Sequence, residues 1–276
     1  MKNERDNVDY QAILTDAVRI AQQAGIILKT HYSQPIKQTT KSSATDIVTE
    51  ADKSAEAFII RELMRLYPEH HLIGEEGGGQ GAPAETATYH WYIDPIDGTT
   101  NFASGIPQFC TSLAMTDSKR NPLVAVIYDP LRDELYTATK NGGTYLNGQQ
   151  VHVSQTDTLI NAVVGSGFPY TKHTDEHNNT ANWSAMTRKV RGIRRMGSAA
   201  LDLAFVAVGR LDAYWERSLN PYDALAGMLL IQEAGGTVTD YQGGDQPQWD
   251  ELGRYVASNS HIHQQILDVL ASTGDD

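Results

Sequence analysis

An apolar stretch that runs directly into two acidic residues, at positions 91–100 (WYIDPIDGTT), restricts the structure of this chain more than any other segment. The apolar part predicts a buried strand that ends in a turn at the acids. Because Pro95 fixes its own φ and lacks an amide N–H, the turn can bring the carboxylates of Asp94 and Asp97 and the carbonyl of Ile96 to one side of the chain. Three oxygen ligands for a hard cation would then converge.

The residues after these acids favour an anion beside that cation. Gly98 lets the backbone approach a ligand closely, and the amides from Gly98 to Thr100 predict a short helix whose positive end faces a phosphate. Two acids around a proline are equally compatible with an ordinary surface turn. The complete string of acids, glycine and hydroxyls favours adjoining cation and anion sites.

Three further segments supply acids that can reach the same place. Glu75 follows a short apolar run, and Asp52 and Asp223 each lie at the predicted start of a helix. Each also has a simpler interpretation: Glu75 as half of a solvated pair with Glu76, and the two aspartates as acids that stabilise a helix N-terminus. Only their combination with the acids of the central segment favours a shared site.

Composition excludes several classes of function. The formal net charge of −12 argues against direct nucleic-acid binding, which needs a broad basic surface. The single cysteine, Cys110, excludes an internal disulfide and a thiolate zinc site, so a metal must take oxygen or histidine ligands. The first ten residues contain charges but no apolar core, which predicts no signal peptide and no membrane anchor, and hence a cytoplasmic protein. The histidines lack the spacing of a ligand set and are interpreted as structural.

Periodicity predicts two helices followed by strands. Apolar residues at steps of three and four predict a helix over about 9–31 and a second helix that starts near Thr49 and ends before Pro68. The glycine-rich segments 77–81 and 243–250 are predicted to be mobile loops. Later apolar runs predict strands at 90–93, 109–115, 123–128 and 134–139.

The second half of the chain alternates strands with helices. Asn147-Gly148 predicts a hairpin at a domain edge, because both turn positions favour positive φ. We therefore predict an α+β fold of two layered units, residues 1–150 and 151–276, with the functional site at their interface. The strands of the second unit are predicted at 162–165, 211–215, 237–239 and 255–257, and its helices near 198–208 and 222–233.

Three segments together resemble the signature blocks of the inositol monophosphatase family, in the lithium-sensitive, magnesium-dependent phosphatase superfamily. They are Gly74-Glu75-Glu76, Asp94 to Thr100, and Pro221-Tyr222-Asp223 followed by small residues. The segments 128–139 and 192–200 are similar to bacterial members of the SuhB type, so the resemblance covers nearly the whole chain. It implies a layered αβαβα sandwich of the inositol monophosphatase and fructose-1,6-bisphosphatase type, paired as a homodimer.

The resemblance also implies which residues bind metal. Glu75, Asp94, the Ile96 carbonyl and Thr99 would surround one magnesium ion, and Asp94, Asp97 and Asp223 would hold a second. In many relatives a serine follows the two glutamates, where this chain has Gly77 to Gly79. Two ions are therefore expected, and a third only if this glycine loop also binds one.

Catalytic and substrate residues are implied in the same way. Asp52, Thr99 and Glu75 are the implied catalytic residues, with Thr99 hydrogen-bonded to Asp52 so that the pair orients and deprotonates the attacking water. Tyr222 replaces the tryptophan that commonly precedes the last aspartate, which changes the shape of the pocket. The implied substrate contacts are Asp97, Gly98, Thr99, Thr100, Ser198, Ala199, Glu216 and Asp223.

The implied function is magnesium-dependent hydrolysis of a small phosphate monoester, with myo-inositol monophosphate as the first candidate. Fructose 1,6-bisphosphate, 3′-phosphoadenosine 5′-phosphate and histidinol phosphate are alternatives, because superfamily members that act on them have almost the same metal ligands. A SuhB-like protein-binding regulator of transcription is an alternative of another class, with the basic stretch Arg188 to Arg195 as its surface.

Overall fold

The two N-terminal helices form where the periodicity predicts them. In this computed structural model, which describes residues 8–34, 38–40, 47–245, 250 and 252–274, helix α1 spans Tyr10–Tyr32 and helix α2 spans Glu50–Leu66. Asp9 caps α1 by accepting hydrogen bonds from the amides of Gln11 and Ala12. Each helix buries one stripe of apolar residues, so the two lie side by side on one face of a sheet.

That sheet has eight strands. A separate two-stranded pair, β1 (Gln38–Thr40) and β2 (Ile47–Thr49), precedes it. The eight strands are β3 (His71–Gly74), β4 (Gly78–Gly81), β5 (Tyr89–Asp97), β6 (Cys110–Asp117), β7 (Pro122–Asp129), β8 (Glu134–Thr139), β9 (Gly143–Leu146) and β10 (Gln149–Val151). Their order is β10-β9-β8-β7-β6-β5-β3-β4, and only β3 and β5 pair in parallel.

A five-stranded sheet forms in the second half of the chain. Its strands are β11 (Val163–Ser166), β12 (Gly192–Arg194), β13 (Ala213–Glu216), β14 (Thr237–Thr239) and β15 (Tyr255–Ser258), in the order β12-β11-β13-β15-β14. The remaining helices are α3 (Thr99–Ala103), α4 (Thr180–Thr187), α5 (Ala199–Ala207), α6 (Pro221–Glu233) and α7 (His263–Ala271).

Packing places these elements in five layers. Helices α1 and α2 cover one face of the large sheet, α5 and α6 lie between the two sheets, and α4 and α7 cover the outer face of the small sheet. The predicted α+β class and αβαβα sandwich are therefore confirmed. Helix α6 belongs to the second half of the chain but packs on the sheet of the first half, and the division at residue 150 stays a prediction.

Two segments differ from their predicted structure. The strand predicted at 90–93 does not end at the acids; β5 runs through both of them, and its register with β6 shifts between Asp94 and Asp97. Pro95 cannot donate a ladder hydrogen bond, so the strand bulges there instead of stopping. The predicted mobile loop at 77–81 forms strand β4, because glycine lets it lie close to its neighbours: a Cβ at Gly79 would meet the His71 ring at 3.0 Å.

Most other predicted elements are present. The hairpin forms at Asn147-Gly148, where φ is 48° and 78°, and the predicted strands and helices of the second half lie within a few residues of their expected bounds. Helices α4 and α7 and strands β1, β2 and β12 are additional. No helix in the described part of the chain combines the length and the hydrophobicity needed to cross a membrane. Residues 1–7, and 246–249 of the predicted loop at 243–250, lie outside the described residues.

Candidate active site

Three aspartates from two elements come together in the structure. Carboxylate oxygens of Asp94 and Asp97 on β5 and of Asp223 near the start of α6 all lie within 4.8 Å of one another. Asp94 is 2% exposed, and among the described residues nothing donates a hydrogen bond to its Oδ1 atom. Closely spaced carboxylates, one of them with a buried oxygen that lacks a donor, suit a hard divalent cation.

Burial and mutual repulsion make these acids hard to ionise. Burial, followed by the charges of Glu75, Asp97 and Asp223, raises the pKa of Asp94. Burial, followed by the charge of Asp97, raises the pKa of Asp223. Burial also raises the pKa of Asp97 to about 6, although the start of α5 donates hydrogen bonds to it. Divalent cations reverse this balance by stabilising the ionised forms, so the cluster is chemically suited to bind them.

The N-terminus of α5 holds Asp97 in place. The amides of Ala199 and Ala200 lie 3.3 and 2.8 Å from its carboxylate oxygens, and the hydroxyl of Ser198 also donates to it. The helix dipole favours negative charge at this end. Ser198 and Ala199, which the sequence resemblance assigned to substrate, thus line the site and also contact the acid cluster.

Asp52 is both a helix cap and the partner of Thr99. It accepts hydrogen bonds from the amide and hydroxyl of Thr49, at 2.8 and 2.6 Å, and so closes the capping box of α2. Its other oxygen lies 3.2 Å from the Thr99 hydroxyl, which is 2.9 Å from the Ile96 carbonyl. The predicted Asp52–Thr99 contact is present, and the simpler interpretation of Asp52 as a helix acid is also correct.

Asp223 shows the same dual use. It is the third residue of α6 and accepts a hydrogen bond from the amide of Asn220 at 2.8 Å, which completes a second capping box. Its carboxylate nevertheless belongs to the aspartate cluster. Proline at the first position of α6 fixes the backbone at the point from which Asp223 projects.

Glu75 approaches the cluster from the adjacent strand. It directly follows β3, and its amide donates to the carbonyl of Ile93 on β5 at 3.1 Å. A side-chain hydrogen bond links Glu75 to Asp94. Glu75 is only partly buried and lies outside the tight group of three aspartates, so it borders the cluster.

Glu56, which the sequence analysis missed, fixes the segment that carries Glu75. This acid on α2 is 3% exposed and accepts hydrogen bonds from the amide of Glu76, at 2.9 Å, and from the amide of Gly77. A Cβ at Gly74 would lie 2.6 Å from the Glu56 carboxylate, so any other residue there would displace this carboxylate. The signal in the sequence was the spacing: Glu56 lies one helical turn after Asp52, on the same face.

The three aspartates of the cluster and Glu75 line a cavity of about 870 Å³. All the site residues named from the sequence border it except Asp52, which is connected to it through Thr99. Glu216 lies at the end of β13, is 8% exposed and accepts a hydrogen bond from the Tyr214 hydroxyl. Burial raises the pKa of Glu216 to about 7. Within the described ranges no histidine lines the cavity.

The cavity wall also contains charged residues that the sequence analysis did not assign to the site. Lys172, Arg195 and Arg217 bring positive charge to it, and Asp202 adds a buried acid. Behind the cavity lining, the side-chain amide of Asn101 donates to the carbonyls of Gln108 and Met196 at 2.8 Å each. Of these, Arg195 was noted only as part of the basic stretch Arg188 to Arg195, and the available signal for Asn101 was that it directly follows the threonines of the central segment.

Comparison with known proteins gives a consistent result. The inositol monophosphatase family matches residues 9–274. Nus factor SuhB of Pseudomonas aeruginosa is 40% identical over 94% of this chain and 96% of its own length. Inositol-1-monophosphatase of Rhizobium meliloti is 39% identical over 96% of this chain and 95% of its own length. The solved structure of inositol monophosphatase from Anabaena has a TM-score of 0.86 at 37% identity, covering 96% of this chain and 97% of that one.

Proposed function

This chain belongs to the inositol monophosphatase family, and we propose that it is a magnesium-dependent phosphatase that hydrolyses myo-inositol monophosphate or a closely similar polyol phosphate. The convergence of Asp94, Asp97 and Asp223 carries the proposal. A phosphate ester brings further negative charge to these acids. Bound divalent cations make the two compatible, which is the reason for expecting both in one cavity.

Two magnesium ions suit the set of oxygen donors. Glu75, Asp94, the Ile96 carbonyl and Thr99 would hold one, and Asp94 would share the other with Asp97 and Asp223. When bound, the ions supply positive charge to the phosphate oxygens and lower the pKa of water. The glycine-rich strand β4 adds no acidic side chain beside Glu75 and Glu76, so we propose two ions and not three.

Asp52 and Thr99 would act on the attacking water. The Thr99 hydroxyl lies 3.2 Å from Asp52, so it can accept a hydrogen bond from water while its own proton moves to the carboxylate. As the water oxygen bonds to phosphorus, the water proton passes to Thr99 and the ester P–O bond breaks. The departing alkoxide takes a proton from solvent and Asp52 returns its proton to solvent, giving inorganic phosphate and the free alcohol. Amides at Gly98 and Thr99 would orient the phosphate.

The end of the cavity that contains Glu216, the alcohol end, is suited to a substrate with several hydroxyls. Glu216 has a second carboxylate oxygen besides the one that accepts from Tyr214, and a carboxylate can accept from two adjacent hydroxyls at once. An analogue without those hydroxyls would leave the buried acceptor unpaired, which discriminates strongly against it. Inositol monophosphate meets this requirement better than histidinol phosphate, which has no free hydroxyl, or 3′-phosphoadenosine 5′-phosphate, which has a single one; fructose 1,6-bisphosphate also has adjacent hydroxyls and is separated by assay.

Phosphate release from a panel of these esters tests the proposal. Each ester is assayed with magnesium, with magnesium and chelator, and with magnesium and lithium. We expect inositol monophosphate to have the highest kcat/KM, chelator to abolish turnover and lithium to inhibit it. Turnover that survives complete chelation would refute the metal-dependent mechanism, whereas a preference for another ester would change only the substrate.

A protein-binding role in transcription is the second candidate. Two observations favour it: relatives with the name Nus factor SuhB, and four exposed cations, Arg188, Lys189, Arg191 and Arg194, that form no ion pair in the part of the chain that the structure describes. Reversing two of these charges should abolish capture of an acidic partner and leave phosphatase turnover intact.

We also propose a cytoplasmic homodimer, whose mass light scattering would measure.

A further inference from the structure

Asp202 is a buried acid that the proposed reaction does not use. It lies in the first turn of α5, is 1% exposed and borders the cavity. Within the described residues its side chain makes no hydrogen bond and no ion pair, and its Oδ1 atom is buried without a partner. Burying a polar group that has no donor destabilises a fold by a substantial amount. An acid at this position therefore needs a reason other than folding.

Most of the charges that act on Asp202 are negative. After burial, the charges of Glu216 and Asp97 contribute most to raising the pKa of Asp202, and only Arg195 opposes them. Asp202 lies outside the group of three aspartates, so it is not placed to share their metal. The cavity that it borders also contains the proposed phosphate site.

Glu216 and Asp202 differ in whether the protein donates a hydrogen bond to them. Glu216 receives a hydrogen bond from Tyr214, whereas Asp202 receives none from the described protein. One acceptor is thus positioned by the fold, and the other depends on what enters the cavity. Hydroxyl groups on the alcohol half of a substrate are donors of the right kind.

We propose that Asp202 is a specificity-determining residue that accepts a hydrogen bond from a hydroxyl of the substrate's alcohol half, alongside Glu216. The inference rests on the proposed phosphatase function and adds a second acceptor for the hydroxyls of its polyol substrate. Discrimination follows because an ester without hydroxyls leaves a buried acceptor unpaired.

Asp212 provides a matched control ten residues further along the chain. It is 7% exposed and accepts hydrogen bonds from the Ser154 hydroxyl at 2.5 Å and the Val163 amide at 2.6 Å. Asp212 therefore represents a buried acid whose partners belong to the fold, and it does not line the cavity. Asp202→Asn and Asp212→Asn make the same chemical change in opposite settings.

The experiment compares myo-inositol 1-phosphate with cyclohexyl phosphate, which has the same ring size and no hydroxyls. For Asp202→Asn we expect the ratio of the two kcat/KM values to fall by at least about tenfold and the melting temperature without metal or ester to rise. For Asp212→Asn we expect an unchanged ratio and a lower melting temperature. An unchanged ratio in Asp202→Asn, or a variant that fails to fold, would overturn the proposal, because either result assigns Asp202 to the fold.

Failure of the phosphatase function would be visible separately. If the wild-type protein hydrolyses neither ester with magnesium, that function is wrong, and the two esters then serve as stable binding probes in thermal-shift measurements. A larger shift with the inositol ester that is lost in Asp202→Asn still supports the inference. Equal shifts in the wild type and the variant contradict it.

Discussion

The two ends of the cavity contain acids in opposite settings. At the metal end, the charges that act most strongly on Asp94 are all negative, and Asp94 lacks a donor for one oxygen. At the alcohol end, Tyr214 donates to Glu216, and the charges of Arg195 and Lys172 lower its pKa against the effect of burial. The first setting suits cations from outside the protein, whereas the second is partly satisfied by the protein itself. One residue type can thus recruit metal or select substrate, depending on its neighbours.

Asp97→Asn tests the metal end and should have the largest effect. It removes one charged ligand from the cluster, so we expect kcat to fall by at least about 100-fold, as when one electrostatic group is lost from an active site. Circular dichroism should show an intact fold. Asp9→Asn, which keeps a capping residue on the distant helix α1, is the control and should leave kcat unchanged. Normal turnover of Asp97→Asn at saturating magnesium would rule out its role as a ligand.

Glu56→Gln tests whether the metal end depends on support from α2. The glutamine amide group would oppose one of the two backbone N–H groups that Glu56 now accepts from, so the segment that carries Glu75 should loosen. We expect magnesium affinity, measured by calorimetry, to fall by about 10- to 100-fold, as for other residues that orient metal ligands. Glu50→Gln, at an exposed position on the same helix, should leave the affinity unchanged, and equal affinities in both variants would exclude support by Glu56.

How far the sequence predicts this site depends on whether the acids are local in the chain. Asp94 and Asp97 were found because a strand, a proline and a glycine surround them within ten residues. Asp52 and Asp223 were ambiguous, because a capping acid has the same sequence pattern whether or not it reaches a site. In the structure each acid caps a helix; Asp52 also contacts Thr99, and Asp223 also belongs to the aspartate cluster.

Other features depend on tertiary contacts that no local pattern contains. Glu56 and Asp202 lie on helices whose apolar periodicity explains their position as well as any function does. The glycines at 77–81 predict mobility, but their lack of side chains is what allows β4 to approach His71. Periodicity predicted layered units because helices and strands bury the faces that are apolar, and the family resemblance implied the five-layer sandwich. The side chains that line the cavity follow instead from how those layers meet.

Glu216→Gln tests the alcohol end and should have a smaller effect. Glutamine keeps one acceptor oxygen but places a donor near the Tyr214 hydroxyl, so recognition of substrate hydroxyls weakens while the aspartates are untouched. We expect the preference for inositol 1-phosphate over cyclohexyl phosphate to fall by about tenfold, with unchanged magnesium affinity. If the variant instead loses magnesium affinity and keeps its preference, the two ends are not separate in function.

The smallest expected effect concerns how much magnesium stabilises the protein at two pH values. It distinguishes the two ends because only the metal end should respond to magnesium. Folding raises the pKa of Asp94 and Asp223, and that of Asp97 to about 6. A raised pKa in the folded state means that stability is present when the acids are protonated and is lost as pH rises through the folded value. Magnesium replaces those protons, so its stabilising effect should be greater at about pH 8 than at about pH 5. At saturation we expect the melting temperature to rise by about 5 °C at the higher pH. The rise should be nearly absent in Asp97→Asn and retained in Glu216→Gln; a pH-independent rise would mean that the ions do not bind at the aspartates.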